Sequence, residues 1–322
     1  MILVTGATGR IGNVLVRELI SRNDKVRIFT RKDSDLTPLK GLQYETSVGD
    51  VRDFPSVMEA VDGVDYVYHL ASLIWISSGN EKKVYEINIG GTKNIIKACV
   101  EKNVRKLLYT SSIHAIKELP RGKVITECCS FNPDSTRGAY DRSKARASMA
   151  VLRAVKEGLN ATIVCPTGVI GPYDYRPSYF GKSMISYVNE QQTAMVEGAY
   201  DYVDVRDVVA GMIAAMEKGG KGETYILSGE RMTMKQYYKY MEEFSGVKAP
   251  AKIIPYKIAR FVAGVLAFFK KNPEFTPYSL ETLLSNSNIS HEKATNELGY
   301  SPRDVKESIK DQYEWFKGEG MI

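Results

Sequence analysis

A glycine-rich segment between a strand and a helix, at the N-terminus, constrains this chain most. Residues 2–5 form a short apolar run, and residues 11–20 show an amphipathic helical pattern. Between them lies TGATGRIG, with its glycines spaced GxxGxxG. Gly6 permits a tight turn, Gly9 lets the backbone approach a pyrophosphate, and Gly12 allows the helix to pack closely on the strand.

We therefore expect phosphates to bind the N–H groups at the start of this helix, where the helix dipole favours anions. The alternative is a glycine turn with a structural role only, but the strand–loop–helix context favours the phosphate site. The predicted residues are Gly6, Thr8, Gly9, Arg10, Ile11 and Gly12.

The first two-thirds of the chain alternate short apolar runs with helical patterns. The runs lie at 2–5, 25–30, 43–47, 65–70, 106–110 and 161–165. They are rich in Val, Ile, Leu and Tyr, as is typical of strands that helices cover on both faces. The pattern predicts an α/β fold with a Rossmann-type, doubly wound parallel sheet.

The pattern changes after the sixth run, where the chain becomes rich in Pro, Gly and Tyr. Such long irregular segments often line binding sites. We predict a nucleotide-binding domain over 1–168, to which 201–228 return. A smaller, interleaved C-terminal substrate-binding region would comprise 169–200 and 229–322.

Two capping signals mark helices in the C-terminal part. Thr233 and Gln236 form a capping box that predicts a helix to about Phe244. Ser301 and Pro302 predict the N-cap and the first position of the last helix.

Composition excludes several other classes of protein. The formal net charge is +6, but the Lys and Arg residues are dispersed among acids, so we expect no nucleic-acid partner. The four cysteines form no CxxC pair and the three histidines are scattered, so we expect no metal site. Few, unpatterned cysteines and an N-terminus that enters a strand at once predict a cytoplasmic protein.

The most apolar stretch is Ile258–Phe269. It is much shorter than the roughly twenty residues that a membrane-spanning helix needs, so we expect no membrane span. A buried or pocket-covering helix is the favoured interpretation, and an interfacial membrane contact is the alternative.

The second and third strands bear on the choice of nicotinamide cofactor. An NAD site usually has an acid roughly twenty residues after the glycine loop, whereas Arg31 and Lys32 stand there in this chain. Two cations suit a 2′-phosphate, so we prefer NADP to NAD. NAD remains open, because Arg31 could be an ordinary surface residue. Asp50 and Val51 end the third strand where adenine would lie, and Asp50 is a candidate acceptor for its amino group or else a loop residue.

A second constellation concerns proton transfer. Tyr140 and Lys144 are four residues apart in a helical pattern, so they lie on one face. A neighbouring cation favours the phenolate and would bring the pKa of the tyrosine, ordinarily near 10, closer to working pH. Ser112 follows the strand at 106–110 and would hold a substrate carbonyl beside Tyr140. His114 either contacts the substrate or is a polar loop residue.

These motifs together resemble the extended short-chain dehydrogenase/reductases. That family includes nucleotide-sugar epimerases and dehydratases, dihydroflavonol reductases and 3β-hydroxysteroid dehydrogenases. The motifs are TGATGRIG (5–12), GDVRD (49–53), HLAS (69–72), INIGGTKNIIKA (87–98), YTSS (109–112), YDRSK (140–144), CPTGVIGP (165–172) and YVDVRDVV (202–209).

The resemblance implies a Ser112–Tyr140–Lys144 catalytic triad supported by Asn88. It implies that Lys144 binds the nicotinamide ribose. It further places Leu70, Ala71 and Ser72 against the cofactor, and Pro166 to Val169 beside the nicotinamide. Relatives often pair through two long helices, so a homodimer through 81–102 and 142–157 is expected.

Within the family, GPYD (171–174), VDVRDVV and the tail SHEKATNELGYSPR are similar to dihydroflavonol-reductase-like proteins. Sugar-nucleotide enzymes commonly have Arg where Tyr173 follows the Gly-Pro pair. We therefore expect an NAD(P)-dependent oxidoreductase that reduces a ketone or aldehyde, with Tyr140 as the proton donor. A nucleotide-sugar 4-epimerase or dehydratase with retained NAD is the alternative, because fold and catalytic groups do not separate the two reactions. A nucleotide-sensing regulatory protein is the second alternative.

Overall fold

A seven-stranded parallel sheet lies at the centre of the computed structural model, which describes residues 1–75, 79–192, 194–261 and 277–322. The strands of the described residues, in chain order, are β1 (Ile2–Thr5), β2 (Val26–Thr30), β3 (Glu45–Val48), β4 (Tyr66–His69), β5 (Lys106–Thr110), β6 (Ala161–Pro166), β7 (Gly168–Ile170), β8 (Ala194–Val196), β9 (Ala199–Asp204), β10 (Thr224–Leu227), β11 (Glu230–Thr233) and β12 (Lys252–Ile254). The central sheet consists of β1 to β6 and β10.

The helices cover both faces of this sheet and build the C-terminal part. They are α1 (Arg10–Ser21), α2 (Phe54–Val61), α3 (Glu81–Tyr85), α4 (Thr92–Glu101), α5 (Ala139–Lys156), α6 (Tyr179–Val188), α7 (Val205–Glu217), α8 (Met234–Ser245), α9 (Pro277–Leu284), α10 (Glu292–Leu298) and α11 (Val305–Gly318). A π-helical turn, Glu86–Gly91, joins α3 to α4.

The order across the central sheet is β10-β6-β5-β4-β1-β2-β3, and every neighbouring pair is parallel. From β1 the chain adds β2 and β3 on one side of the sheet, and it then adds β4, β5, β6 and β10 on the other side. This reversal between β1 and β4 creates the crevice where ligands bind in open α/β sheets. The predicted doubly wound α/β fold is confirmed.

Alternate residues of each central strand face opposite sides of the sheet, and both sides are buried. Leu3 and Leu107 belong to the core under α2, α4 and α5, whereas Val4 and Leu108 belong to the core under α1 and α7. All four are fully buried. This two-sided burial explains why the strands appear in the sequence as continuous apolar runs.

The C-terminal part has its own small core. β9 pairs in parallel with β7 and antiparallel with β11, and α6, α8 and α11 pack on this three-stranded sheet. Its buried side chains include Met184, Tyr237, Ile309 and Phe316. The domain boundaries given above stay a prediction.

One capping prediction is confirmed and one is wrong. Thr233 and Gln236 form the expected capping box at the start of α8. The last helix does not begin at Ser301-Pro302 but at Val305, with Asp304 as its N-cap. The reason is that Arg303 is bound to Asp207 of α7 by its backbone N–H (2.8 Å) and its guanidinium (2.9 Å), which holds the preceding residues outside the helix.

Of the apolar stretch Ile258–Phe269, only 258–261 lie within the described residues. Ala259 is buried there, while Ile258 and Phe261 are exposed. Across the described ranges, none of the helices combines the length and apolar character that crossing a bilayer requires.

Candidate active site

The glycine loop packs too closely for side chains at two positions. Gly6 has φ +72°, and a Cβ built on it would lie 2.8 Å from the backbone nitrogen of Ala71. A Cβ on Gly12 would lie 2.1 Å from the carbonyl oxygen of Gly6. The start of α1 and the end of β4 are thus pressed against the loop, as a nucleotide-binding turn requires.

The start of α1 suits an anion. Its N-cap is Gly9, which has no side chain to cap the helix, and its first turn contains no acidic residue. The first N–H groups of a helix have no partner within the helix, and the dipole places positive charge there. The loop and helix start therefore fit the pyrophosphate of a dinucleotide.

Cations and carboxylates meet at the ends of β2 and β3. Arg31 Nε lies 3.2 Å from Asp33 Oδ1, and both side chains are mostly exposed, as is Lys32. Asp50 accepts from the guanidinium of Arg52 at 2.7 and 3.0 Å, and this bonding holds the pKa of Asp50 below its ordinary value. The Arg31 and Lys32 side chains are in a position to approach a ligand from solvent.

Val51, next to Asp50, is buried under the π-helical turn, where a Cβ on Gly91 would meet its Cγ2 at 2.7 Å. Val51 therefore packs between the end of β3 and the π-helical turn.

His69 at the end of β4 is fully buried and links two elements. Its Nδ1 lies 2.7 Å from Thr5 Oγ1, and its Nε2 lies 3.0 Å from Thr92 Oγ1. Thr92 donates its hydroxyl proton to the carbonyl of Asn88 (2.7 Å), so it must accept from an Nε2–H. Thr5 then donates to Nδ1 and accepts from the N–H groups of Leu70 and Ala71 (3.2 and 3.1 Å).

Burial, with a smaller contribution from the charge of Lys144, lowers the pKa of His69 to about 3. The ring is therefore neutral, with its proton on Nε2, and serves as a fixed connector rather than as an acid or base.

Asn88 continues this chain towards α5. Its Oδ1 accepts from the N–H of Leu73 (2.7 Å) and the hydroxyl of Ser72 (3.2 Å), and its Nδ2 donates to Ser143 Oγ (2.9 Å). Ser143 in turn donates to the carbonyl of Tyr140 (2.7 Å). Because the side chain of Asn88 is bonded to protein groups at both ends, its geometry is that of a positioning residue.

Ser112, Tyr140 and Lys144 come together at the carboxyl edge of the sheet. Ser112 follows β5, and the other two side chains lie on the first turns of α5; all three are buried. The Ser112 hydroxyl accepts from the N–H of His114 (3.2 Å) and lies near enough to the Tyr140 phenol to lower its pKa. Lys144 Nζ donates to the carbonyl of Thr110 (2.7 Å) and lies 5.1 Å from the ring centroid of Tyr109.

The expected lowering of the tyrosine pKa is not found. Burial raises the pKa of Tyr140 well above its ordinary value, and the nearby Ser112 hydroxyl opposes this only in part. Burial lowers the pKa of Lys144 to about 7. Desolvation disfavours the charged form of both groups, and it is the largest cause of both shifts. Tyr140 therefore keeps its proton at neutral pH, as a proton donor must.

Pro166 and Val169 lie on the other side of the crevice. Pro166 ends β6, and Val169 is paired with Val203 in the small sheet. Between them, Thr167 donates to the buried carboxylate of Asp201 (2.6 Å). Burial raises the pKa of Asp201 to about 6.

Sequence reasoning missed an aromatic cluster beside Tyr140. Tyr200 Oη lies 3.0 Å from His114 Nε2, and the ring of Tyr278 lies 5.7 Å from that of His114. Tyr278 donates to Asp141 (2.7 Å). A cavity of about 110 Å³ adjoins the cluster and is lined by Asp141, His114 and Tyr200 among others. His114 is thus on a cavity wall. Tyr200 and Tyr278 belong to no motif in the sequence, because contacts between distant segments bring them to His114.

The glycine loop and the start of α1 suit the pyrophosphate of a dinucleotide, and a buried phenol that retains its proton lies at the carboxyl edge of the same sheet. This combination defines the class of protein: a nucleotide-dependent oxidoreductase. Comparison with known proteins then gives the family. The model of the NAD dependent epimerase/dehydratase family matches residues 2–228, and the chain belongs to this family. The resemblance to extended short-chain dehydrogenase/reductases is confirmed.

Full-length relatives extend the likeness. The chain is 35% identical to sterol demethylase protein B of Methylococcus capsulatus, over 99% of both chains. It is 29% identical to a Synechocystis protein that bears a dihydroflavonol 4-reductase name, over 99% of this chain and 95% of the relative. The solved structure of gox2253 is 31% identical and covers 100% of this chain and 99% of its own, with a TM-score of 0.88.

Solved structures of more distant members contain NAD. They include a UDP-glucuronic acid 4-epimerase from Bacillus cereus and two dTDP-glucose 4,6-dehydratases, at 18 or 19% identity with TM-scores from 0.78 to 0.81. At that identity, they show that the fold is shared.

The pKa of Lys144 leads to a prediction for the pH dependence of the enzyme's activity. Because its pKa of about 7 lies below the ordinary value, the ammonium is lost as pH rises through 7. Tyr140, whose pKa is raised, stays protonated throughout this range. We expect kcat/KM, measured from pH 5.5 to 9, to fall above about pH 7. A flat profile would contradict the role given to Lys144. Lys144→Met should remove most of the activity and also the fall in kcat/KM above pH 7.

Proposed function

We propose that the protein reduces a ketone or aldehyde carbonyl, or oxidises the corresponding alcohol, with NADP preferred to NAD. The observation that carries the proposal is the shared burial of Ser112, Tyr140 and Lys144 at the carboxyl edge of the sheet, beside the glycine loop. A reduced nicotinamide, when bound, supplies a hydride. The chain must supply the proton and hold the carbonyl.

Tyr140 performs the proton step. Its Oη–H donates to the carbonyl oxygen, and the proton moves to that oxygen as the carbonyl carbon receives the hydride. The hydroxyl of Ser112 donates to the same oxygen and stabilises the negative charge that develops there. Lys144, charged below about pH 7, stabilises the phenolate left on Tyr140. Because the site is buried, water is kept from competing for the proton.

The names of the two curated relatives support a ring-bearing substrate, since one refers to a sterol and the other to a dihydroflavonol. The His114–Tyr200–Tyr278 cluster beside Tyr140 presents aromatic faces that suit such a molecule. A nucleotide-sugar epimerase or dehydratase with retained NAD uses the same catalytic groups. Its support comes from structures under 25% identical, which carry no argument about substrate.

Tyr140→Phe tests the catalytic role. Because the variant lacks the transferable proton, we expect carbonyl reduction to fall by about 10²–10⁴-fold, while the Kd for NADPH changes less than about threefold. Tyr68→Phe is the matched control, since it removes another buried phenol, in β4, that faces the core under α1. Full activity in Tyr140→Phe would refute the assignment of Tyr140 as the proton donor. If both variants lost nucleotide binding, the cause would be damage to the fold.

Arg31→Ala tests the cofactor preference. Only NADPH carries the 2′-phosphate, and a hydrogen bond to a charged group is typically worth enough to change Kd by roughly ten- to hundredfold. We expect a loss of that size for NADPH and little change for NADH, measured by fluorescence titration. Arg105→Ala, an exposed arginine paired with Asp65 at the opposite end of the strands, is the control. Equal weakening of both cofactors would remove the NADP preference.

A homodimer through α4 and α5 is a further part of the proposal. Each helix exposes a large apolar side chain, Val100 with 54% and Met149 with 42% of its surface accessible. We expect a dimer mass by light scattering at micromolar concentration, and a shift to monomer in Met149→Asp. A monomeric wild-type protein at that concentration would disprove it.

A further inference from the structure

Segment 171–178, which leads from β7 into α6, is tied to one face of α1. The three residues that hold it, Arg10, Asn13 and Arg17, are spaced by three and four positions and so share that face. The bonds run from Arg10 to Gly171 O (3.1 Å) and Ser178 Oγ (2.6 Å), from Asn13 to Tyr173 O (3.2 Å), and from Arg17 to Tyr175 Oη (3.2 Å).

A buried ion pair lies at the centre of this contact. Arg10 Nη1 is 3.2 Å from Asp174 Oδ2, and the two side chains are only 14% and 1% exposed. Asp174 also accepts from the N–H (3.0 Å) and hydroxyl (2.9 Å) of Ser178, which is the N-cap of α6. Burial lowers the pKa of Arg10, and the charge of Asp174 opposes this effect most strongly. The carboxylate of Asp174 therefore depends on Arg10 for its compensating charge.

Arg10 acts at two places at once. Its backbone is the first residue of α1, directly after Gly9, where the phosphate site is proposed. Its side chain reaches 161 to 168 residues further along the chain, to the segment that opens the substrate-binding region. Its Nε is buried and has no hydrogen-bond partner among the described residues. A phosphate bound at this helix start would therefore stabilise the backbone of Arg10, whose side chain anchors segment 171–178.

We propose that Arg10 is a positioning residue that couples dinucleotide binding at the glycine loop to the ordering of segment 171–178. The coupling rests on the dinucleotide site proposed above. A bound pyrophosphate stabilises the first turn of α1, and that turn carries the guanidinium that anchors Asp174 and Ser178. Because the two events are linked, nucleotide binding that stabilises the anchored state also orders segment 171–178, where the substrate-binding region begins.

Hydrogen exchange of the full-length protein with and without saturating NADPH tests the coupling. In the wild type, NADPH should slow amide exchange at 5–15 and, by at least about fivefold, at 171–188. In Arg10→Met, measured at an NADPH concentration that its own titration shows to be saturating, exchange at 5–15 should still slow, while the slowing at 171–188 falls below about twofold. Arg10→Lys should restore part of it, because an ammonium pairs with Asp174 but lacks the fork that bridges Gly171 and Ser178.

Two further variants keep the test decisive. Arg22→Met, at the other end of α1, removes an arginine paired with Glu217 and should respond to NADPH as the wild type does. If Arg10→Met does not fold, Asp174→Asn removes the same ion pair from the other side and should show the same loss.

A merely structural role predicts something different. Exchange at 171–188 would then be faster in the Arg10 variants both with and without NADPH, and the ratio between the two conditions would stay at its wild-type value. That result, or a wild type whose residues 171–188 ignore NADPH, overturns the coupling. A wild type that binds neither NADPH nor NADH overturns the dinucleotide site itself, and the coupling with it.

Discussion

A chain of buried hydrogen bonds from the end of β1 to the first turn of α5 holds the two halves of the site together. It runs through Thr5, His69 and Thr92 to Asn88, and from Asn88 through Ser143 to the carbonyl of Tyr140. Each link is a polar group inside the protein, and leaving one unpaired costs about 1–3 kcal/mol. The glycine loop and Tyr140 are thereby fixed in one frame.

Burial then sets the protonation states within that frame. It raises the pKa of Tyr140 and lowers the pKa of Lys144, so it favours the uncharged form of each group. A phenol that keeps its proton suits reduction of a carbonyl. A lysine that titrates near neutral pH would make the proposed proton transfer sensitive to pH.

The sequence was sufficient for the parts of the molecule that local rules control. Runs such as 106–110 predict buried parallel strands because both faces of the strand are covered. Tyr140 and Lys144 fall on one face of α5 because helical spacing places residues four apart together. Gly6 and Gly12 have the roles that their spacing predicts, since any Cβ would strike neighbouring backbone.

The remainder depends on contacts between distant segments and on desolvation. His69 bonds to residues 64 and 23 positions away, and no local pattern reveals either partner. α11 begins at Val305, and not after Ser301 as predicted, because Arg303 is bound to Asp207. The pKa of Tyr140 is raised and not lowered because burial is the largest influence on it, and the extent of burial is a property of the whole fold.

Transfer of label from nucleotide to product tests the central claim most directly. Reduced nucleotide carrying deuterium at C4, on the face that is transferred, would be supplied with a panel of ring-bearing ketones and with nucleotide sugars. The account predicts one deuterium per molecule of product alcohol, with oxidised nucleotide accumulating in equal amount. A nucleotide sugar that is rearranged without net oxidation of nucleotide would contradict the account and establish an internal epimerase or dehydratase reaction instead.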